Sequence, residues 1–125
     1  MTQEEKQLLL IDLCARFPYG VKVVDLDGQE FTVKGIDGEL PLVNEYNRFG
    51  NTYHTVGFGW KPYLRPMSSM TEEELHEYNM HLFGITTGVD AMNFMIWIYQ
   101  HHLDILHFIE KGLALEAPED MYKMI

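Results

Sequence analysis

The stretch from Val89 to Leu115 constrains the chain most, because it is apolar on nearly every side of a helical wheel. Ala91, Met92, Phe94, Met95, Ile96, Trp97, Ile98 and Tyr99 leave no clean polar face, and a helix of that kind is ordinarily buried. Asp90, His101, His102, Asp104 and His107 limit its uninterrupted apolar run to Phe94 through Tyr99, far short of the roughly 20 residues that span a bilayer. The pattern therefore predicts a buried central helix from about Asp90 to His101, around which the rest packs, and no membrane span.

The remaining elements follow from caps, periodicity and turn chemistry. Thr2 with Glu5 forms a capping-box pattern, and Leu10, Cys14 and Phe17 continue an apolar stripe until Pro18 and Gly20, which ends a first helix near Arg16. From Val21 the period becomes two, with Val21 and Val23 on one face and Phe31 and Val33 on another. Asp27-Gly28 and Asp37-Gly38 are hairpin signals, so a three-stranded meander is expected. Pro41 puts the third strand at an edge or makes it short and irregular. Asn44 to Asn51 reads as a loop and Tyr53 to Trp60 as a fourth strand, short enough for the sheet to curl into a small barrel.

Lys61 to Ser69, with two prolines, reads as an extended connector over the sheet. Thr71 with Glu74 opens a helix through Leu75, Tyr78, Leu82 and Phe83 that stops at Gly84. Thr86, Thr87 or Asp90 caps the central helix, Asp104 caps a last one to Lys111, and Gly112 ends that helix with Leu113 against Phe108. The expectation is one α+β domain over residues 1–125: an N-terminal helix, a short antiparallel β-meander or small barrel, and about three helices.

Nine Lys and Arg against 19 Asp and Glu give a net charge of −10, which repels phosphate backbones and anionic membranes. Direct nucleic-acid binding is not expected; a basic partner, or an acidic decoy of nucleic acid, is compatible with the same charge. The lone Cys14 forms no internal disulfide, and the opening MTQEEKQ lacks the basic and apolar regions of a secretory signal, so a cytoplasmic setting is expected.

Candidate chemistry is sparse. His101, Asp104 and His107, three apart on one predicted helical face, are the best metal ligands by type, suited to Zn or non-haem Fe(II). Asp104 as a cap competes with that role, and no cofactor or metal is expected. No phosphate loop or serine-nucleophile elbow is present. Tyr46, Phe49, Tyr53, Phe58, Trp60 and Tyr63 concentrate aromatic surface around a predicted loop and strand edge, the candidate face for an unidentified protein partner.

Three phrases, EEKQLLLIDLCARFPYGVKV, KPYLRPMSSMTEEE and HHLDILHFIEKGLALEAPEDMY, together cover close to half the chain. In that order they resemble a group of small proteins of gut Bacteroidetes and of their phages and prophages. The resemblance implies a setting and brings no activity, ligand or catalytic residue with it. No arginine follows the HHxD here. The expected function is that of a small acidic, non-enzymatic accessory or interaction protein. The alternatives are a metal-dependent enzyme using His101, Asp104 and His107, and the acidic decoy.

Overall fold

A computed structural model describes residues 2–38, 40–47, 50–57 and 59–122, without the side chains of 45–47 and 51. Helix α1 (Gln3–Arg16) begins as its sequence requires: Thr2 accepts from the Glu5 amide at 3.0 Å while the Glu5 carboxylate takes the Thr2 amide, and Glu4 and Glu5 complement the positive end of the dipole. A single 3-10 turn over Phe17–Tyr19 follows, and Gly20 reverses the chain at φ +74. Strands β1 (Lys22–Val24), β2 (Glu30–Asp37), β3 (Leu40–Asn47) and β4 (Gly50–Thr55) then form an antiparallel meander.

The sheet is larger than a meander and does not close. Its order is β4-β3-β2-β1-β5-β6, with β5 (Lys61–Leu64) antiparallel to β1 and β6 (Leu115–Glu116) parallel to β5. The barrel alternative is therefore replaced by an open mixed sheet. Three local expectations change with it. The Lys61–Leu64 part of the expected connector is an interior strand. Of the expected loop from Asn44 to Asn51, the residues to Asn47 continue β3 and those from Gly50 open β4, in register from Leu42↔Thr55 to Asn47↔Gly50, and residues 48–49 lie outside the described residues. And β3 lies inside the sheet, not at an edge. Pro41 is tolerated there because it stands second in its strand, opposite Ile36 and close to the register shift between Val33 and Gly35 on β2.

The main core lies under this sheet. Leu9 and Leu13 of α1 meet Val21, Val23, Phe31, Val33, Val43 and Leu64 from the strands, together with Phe108, Leu113 and Ala114 from the C-terminal segment. Helices α2 (Glu72–Phe83) and α3 (Gly88–Gln100) stand beside it as a hairpin with a smaller cluster of their own, Phe94, Trp97, Ile98 and Leu103, against which Tyr78, Met67 and Met70 pack. Phe94, Trp97 and Ile98 are buried, but α3 is not the centre of the fold. The space it was expected to fill is occupied by α1 and by Phe108, Leu113 and Ala114, so α3 buries one face only.

A third helix after the sheet is absent: Ile105 to Lys111 is a run of turns. Its backbone is committed elsewhere. The Arg65 amide donates to the His102 carbonyl at 2.8 Å and the Asp104 amide to the Arg65 carbonyl at 2.8 Å, a bridge that extends the chain at Leu103, and the Asp104 carboxylate takes the Phe108 and Ile109 amides that a helix would direct to the carbonyls of residues 104 and 105. The expected ending is nevertheless present at the end of the turns. Gly112 is left-handed at φ +74, the Leu113 amide donates to the Phe108 carbonyl at 2.9 Å and the Gly112 amide to Ile109 at 3.1 Å, which is the hydrogen-bond pattern of a Schellman motif.

Candidate functional site

The residues proposed as metal ligands do not converge. His101 closes α3, its Nδ1 2.8 Å from the Trp97 carbonyl, and a carbonyl can only accept, so that nitrogen bears the proton. Asp104 is buried, and its two oxygens accept from the Phe108 and Ile109 amides at 2.8 and 2.9 Å. His107 is left-handed at φ +59 and exposed beside Glu110. Without a helix through this segment there is no common face for the three. Among the described residues no group of three or more His, Cys, Asp or Glu side chains is placed to hold a metal ion. Asp104 does cap, as expected, but it caps a turn.

A buried ionic staple sits behind that segment. The Arg16 guanidinium, 1% exposed, bonds Asp12 at 2.7 and 3.3 Å, donates to the Leu103 carbonyl at 2.6 Å and lies 5.3 Å from the centre of the Tyr99 ring. Burial pushes the Asp12 carboxyl up, and Arg16 opposes that shift. The arrangement ties α1 to the chain leaving α3, two parts of the sequence 87 residues apart. Removing one member of such a pair strands the other charge in the interior, which is why these networks hold geometry more than they add stability.

A concavity of about 1100 Å³ opens over the other side of the same segment, with Tyr19, Lys22, Arg65, Glu74, His102 and Tyr122 among its walls. Several of its polar groups are engaged, while the buried His102 Nδ1 has no hydrogen-bond partner among the described residues. Arg65 holds both oxygens of Glu74 at 2.8 Å and so keeps that carboxyl down at about 2. His102 stacks on Tyr122 with ring centres 3.8 Å apart. Its burial, with Arg16 nearby, holds the imidazole at about 4, and the Tyr19 backbone works weakly in the opposite direction. The Tyr122 hydroxyl accepts from the Lys22 amide at 2.9 Å and donates to the Tyr63 carbonyl at 2.7 Å, joining β1 to β5, and burial raises it to about 12. General acid–base work near neutrality needs a group that exchanges its proton there. Glu74, His102 and Tyr122 all titrate far from it.

Of the six aromatic residues considered for a partner face, Tyr53, Trp60 and Tyr63 are described with their side chains. Trp60 stacks on Phe31 at 5.4 Å, with His54 edge-on to both, and packs against the main core. Tyr63 is half-buried in β5 and Tyr53 is exposed on β4. Phe49, Phe58 and the Tyr46 side chain lie outside the described residues.

The exposed apolar surface that sequence reasoning missed is on α3 itself. Val89, Met92 and Ile96, at spacings of three and four, form a stripe turned away from Phe94, Trp97 and Ile98; Val89 is 68% and Met92 66% exposed. Phe83, 82% exposed at the end of α2, and Ile85 in the turn into α3 are exposed as well. The helix is built firmly enough to present this face. Thr87 accepts from the Asp90 amide at 3.1 Å, while the Asp90 carboxylate takes the Thr86 amide and hydroxyl at 3.2 and 3.0 Å. Beneath it Tyr78 and His81 of α2 pack on Phe94 and Trp97, and the Trp97 indole donates to Glu77 at 2.9 Å. The signal for it was already in the sequence: a helix apolar all round is either enclosed by its own chain or shared with another. No helix among the described residues is long and apolar enough to cross a membrane. No protein family model, curated protein or solved structure matches the chain.

Proposed function

We propose that this protein is a non-enzymatic interaction module that works by docking the outer face of α3 onto another polypeptide. The observation that carries the reading is the Val89, Met92 and Ile96 stripe, held on a capped, well-packed helix and left exposed by the described residues. Contiguous apolar surface rimmed by polar groups marks contact sites, and its exposure in an isolated chain favours association. Three of the cleft's groups favour the non-enzymatic half of the reading: Glu74 is held by Arg65, the Tyr122 hydroxyl by the Lys22 and Tyr63 backbone, and both, with the buried His102, titrate away from neutrality. The charge of −10 and the lone Cys14 favour a protein partner in a reducing cytoplasm over nucleic acid. The resemblance to proteins of gut Bacteroidetes and their phages favours an accessory role in a mobile element.

The test is a photoreactive amino acid placed at Met92, with the same group at the exposed Leu26 of the β1–β2 turn as control, in the cells that make the protein. Met92 is expected to cross-link to a defined polypeptide and Leu26 is not. Equal labelling at both positions would remove α3 as the contact face.

A further inference from the structure

Independently of the reading of α3 as a contact face, we propose that the cleft between the C-terminal segment, the start of α2 and the end of α3 binds a small organic cation, an ammonium group carried on an apolar or aromatic body. Its size suits a small molecule: about 1100 Å³ is close to the upper limit of the roughly 300–1,000 Å³ usual for such sites. Tyr19, Pro66, Pro118, Met121 and Tyr122 give it apolar and aromatic walls. Those walls are fixed before any ligand arrives. Tyr122 pins the C-terminal segment to β1 and β5 through its hydroxyl, and Arg65 locks the start of α2 to the end of α3 by bonding Glu74 and the His101 carbonyl. A site ordered in advance loses less of its binding free energy in closing round a ligand.

The hydrogen-bonding groups decide the sign of the ligand's charge. An anion needs free donors, and the guanidinium of the cleft offers none: all five N–H bonds of Arg65 are used within the chain, two on Glu74, two on Ser69 and one on the His101 carbonyl. That leaves the Lys22 ammonium as the other fixed positive charge in the wall. Against it stand the exposed carboxylates of Glu116 and Glu119, which enter none of the ion pairs among the described residues.

Acceptors are left over as well. The His101 ring donates from Nδ1 to the Trp97 carbonyl, so in the neutral ring Nε2 accepts. In the same wall His102 is kept neutral by burial and donates toward the Tyr19 backbone, while its Nδ1 has no partner among the described residues and is a second acceptor. Helix α3 ends here at Gln100 and His101, and a helix C-terminus carries partial negative charge that favours a cation. The net charge of −10 draws cations toward the molecule and repels anions. Carboxylates and unprotonated ring nitrogens together call for N–H donors on a positive group, and aromatic walls attract such a group as well as its apolar body.

Titration of the full chain followed by NMR tests the proposal with phenethylamine, 2-phenylethanol and phenylacetate, three head groups on one aromatic body. Phenethylamine is expected to bind in the millimolar range or tighter and to shift the Gln100, His101 and Tyr122 resonances. The alcohol should bind more weakly and phenylacetate not at all. Replacing the free carboxylates together, Glu116→Gln with Glu119→Gln, should weaken the amine by roughly threefold to tenfold, the size expected of two exposed charge contacts. Glu4→Gln with Glu110→Gln removes the same net charge from surfaces outside the cleft and should leave the affinity unchanged. The proposal is overturned if phenylacetate or the alcohol binds as tightly as the amine, if the Glu116→Gln, Glu119→Gln pair leaves the affinity intact, or if none of the three compounds shifts the cleft. Shifts confined to Val89, Met92 and Ile96 would place the amine on the outer face of α3 and overturn it equally, while the contact-face reading stands or falls by its own cross-linking test.

Discussion

Replacing His102 with asparagine isolates one pH-dependent contribution to stability. The ring is 5% exposed, stacked on Tyr122 and close to Arg16 and Arg65, and burial is the main cause of its low folded value of about 4 against an ordinary 6.5. Above pH 6.5 the imidazole is neutral in both states and contributes no pH dependence. Between 6.5 and 4 the unfolded chain takes up the proton and the folded chain does not, so stability falls as the pH falls. Below about 4 the folded ring protonates too and the loss is complete. A depression of this size corresponds to about 3 kcal/mol. Asparagine suits the site because His102 sits at φ +55, a left-handed conformation that asparagine adopts more readily than most residues. Urea unfolding of both proteins between about pH 7 and pH 4 reads the effect, with shared carboxylate and other histidine contributions cancelling in the difference. The native chain should be the more stable at neutral pH, and its advantage should shrink by about 3 kcal/mol on acidification. A constant gap would mean that the imidazole is not held neutral in the fold.

Two glycines should respond oppositely to alanine. Gly112→Ala should cost about 1 kcal/mol because its φ of +74 disfavours a side chain although nothing lies within 4 Å, whereas Gly88→Ala, with the same open space in the first turn of α3, should be neutral or stabilise by up to about 1 kcal/mol, both read by thermal melting. Asp104→Ala should cost about 2 kcal/mol or more, since the Phe108 and Ile109 amides would lose their acceptor; an unchanged chemical melting midpoint would show that solvent reaches them. Phe94→Ala should cost about 3 kcal/mol, and a variant that melts like the parent would separate the α2–α3 hairpin from the cooperative unit.

Local chemistry made much of the fold legible. The two capping boxes, at Thr2 with Glu5 and Thr71 with Glu74, and the Thr87 cap place all three helices, because each cap is written within four residues. The Gly112 ending is local in the same sense and survives even though the helix before it does not form. What was not legible depends on partners distant in sequence. Apolar residues at 105, 106, 108 and 109 read as helical, yet the Asp104 carboxylate takes the Phe108 and Ile109 amides, and Arg65 and Arg16 hold the backbone of His102, Leu103 and Asp104 just before them. With those amides engaged and His107 left-handed, residues 105–111 form turns and no helix. Pro41 and Pro62 read as edge or connector positions, but each stands inside the sheet at a point that single-strand rules do not reveal. For the site, the apolar character of α3 was plain and its exposure was not, since only the competing occupants of the core, Phe108, Leu113 and Ala114, decide which face is left outside.

The coverage of Met92 in the working protein can be measured by its oxidation. Met80 and Met92 are 64% and 66% exposed in the single chain, so dilute purified protein treated with peroxide should oxidise both at similar rates. In intact cells the account predicts that Met92, on the docked face of α3, is oxidised several-fold more slowly than Met80. Equal oxidation of the two methionines in cells, as in dilute solution, would show that the face of α3 is never covered and would contradict the account.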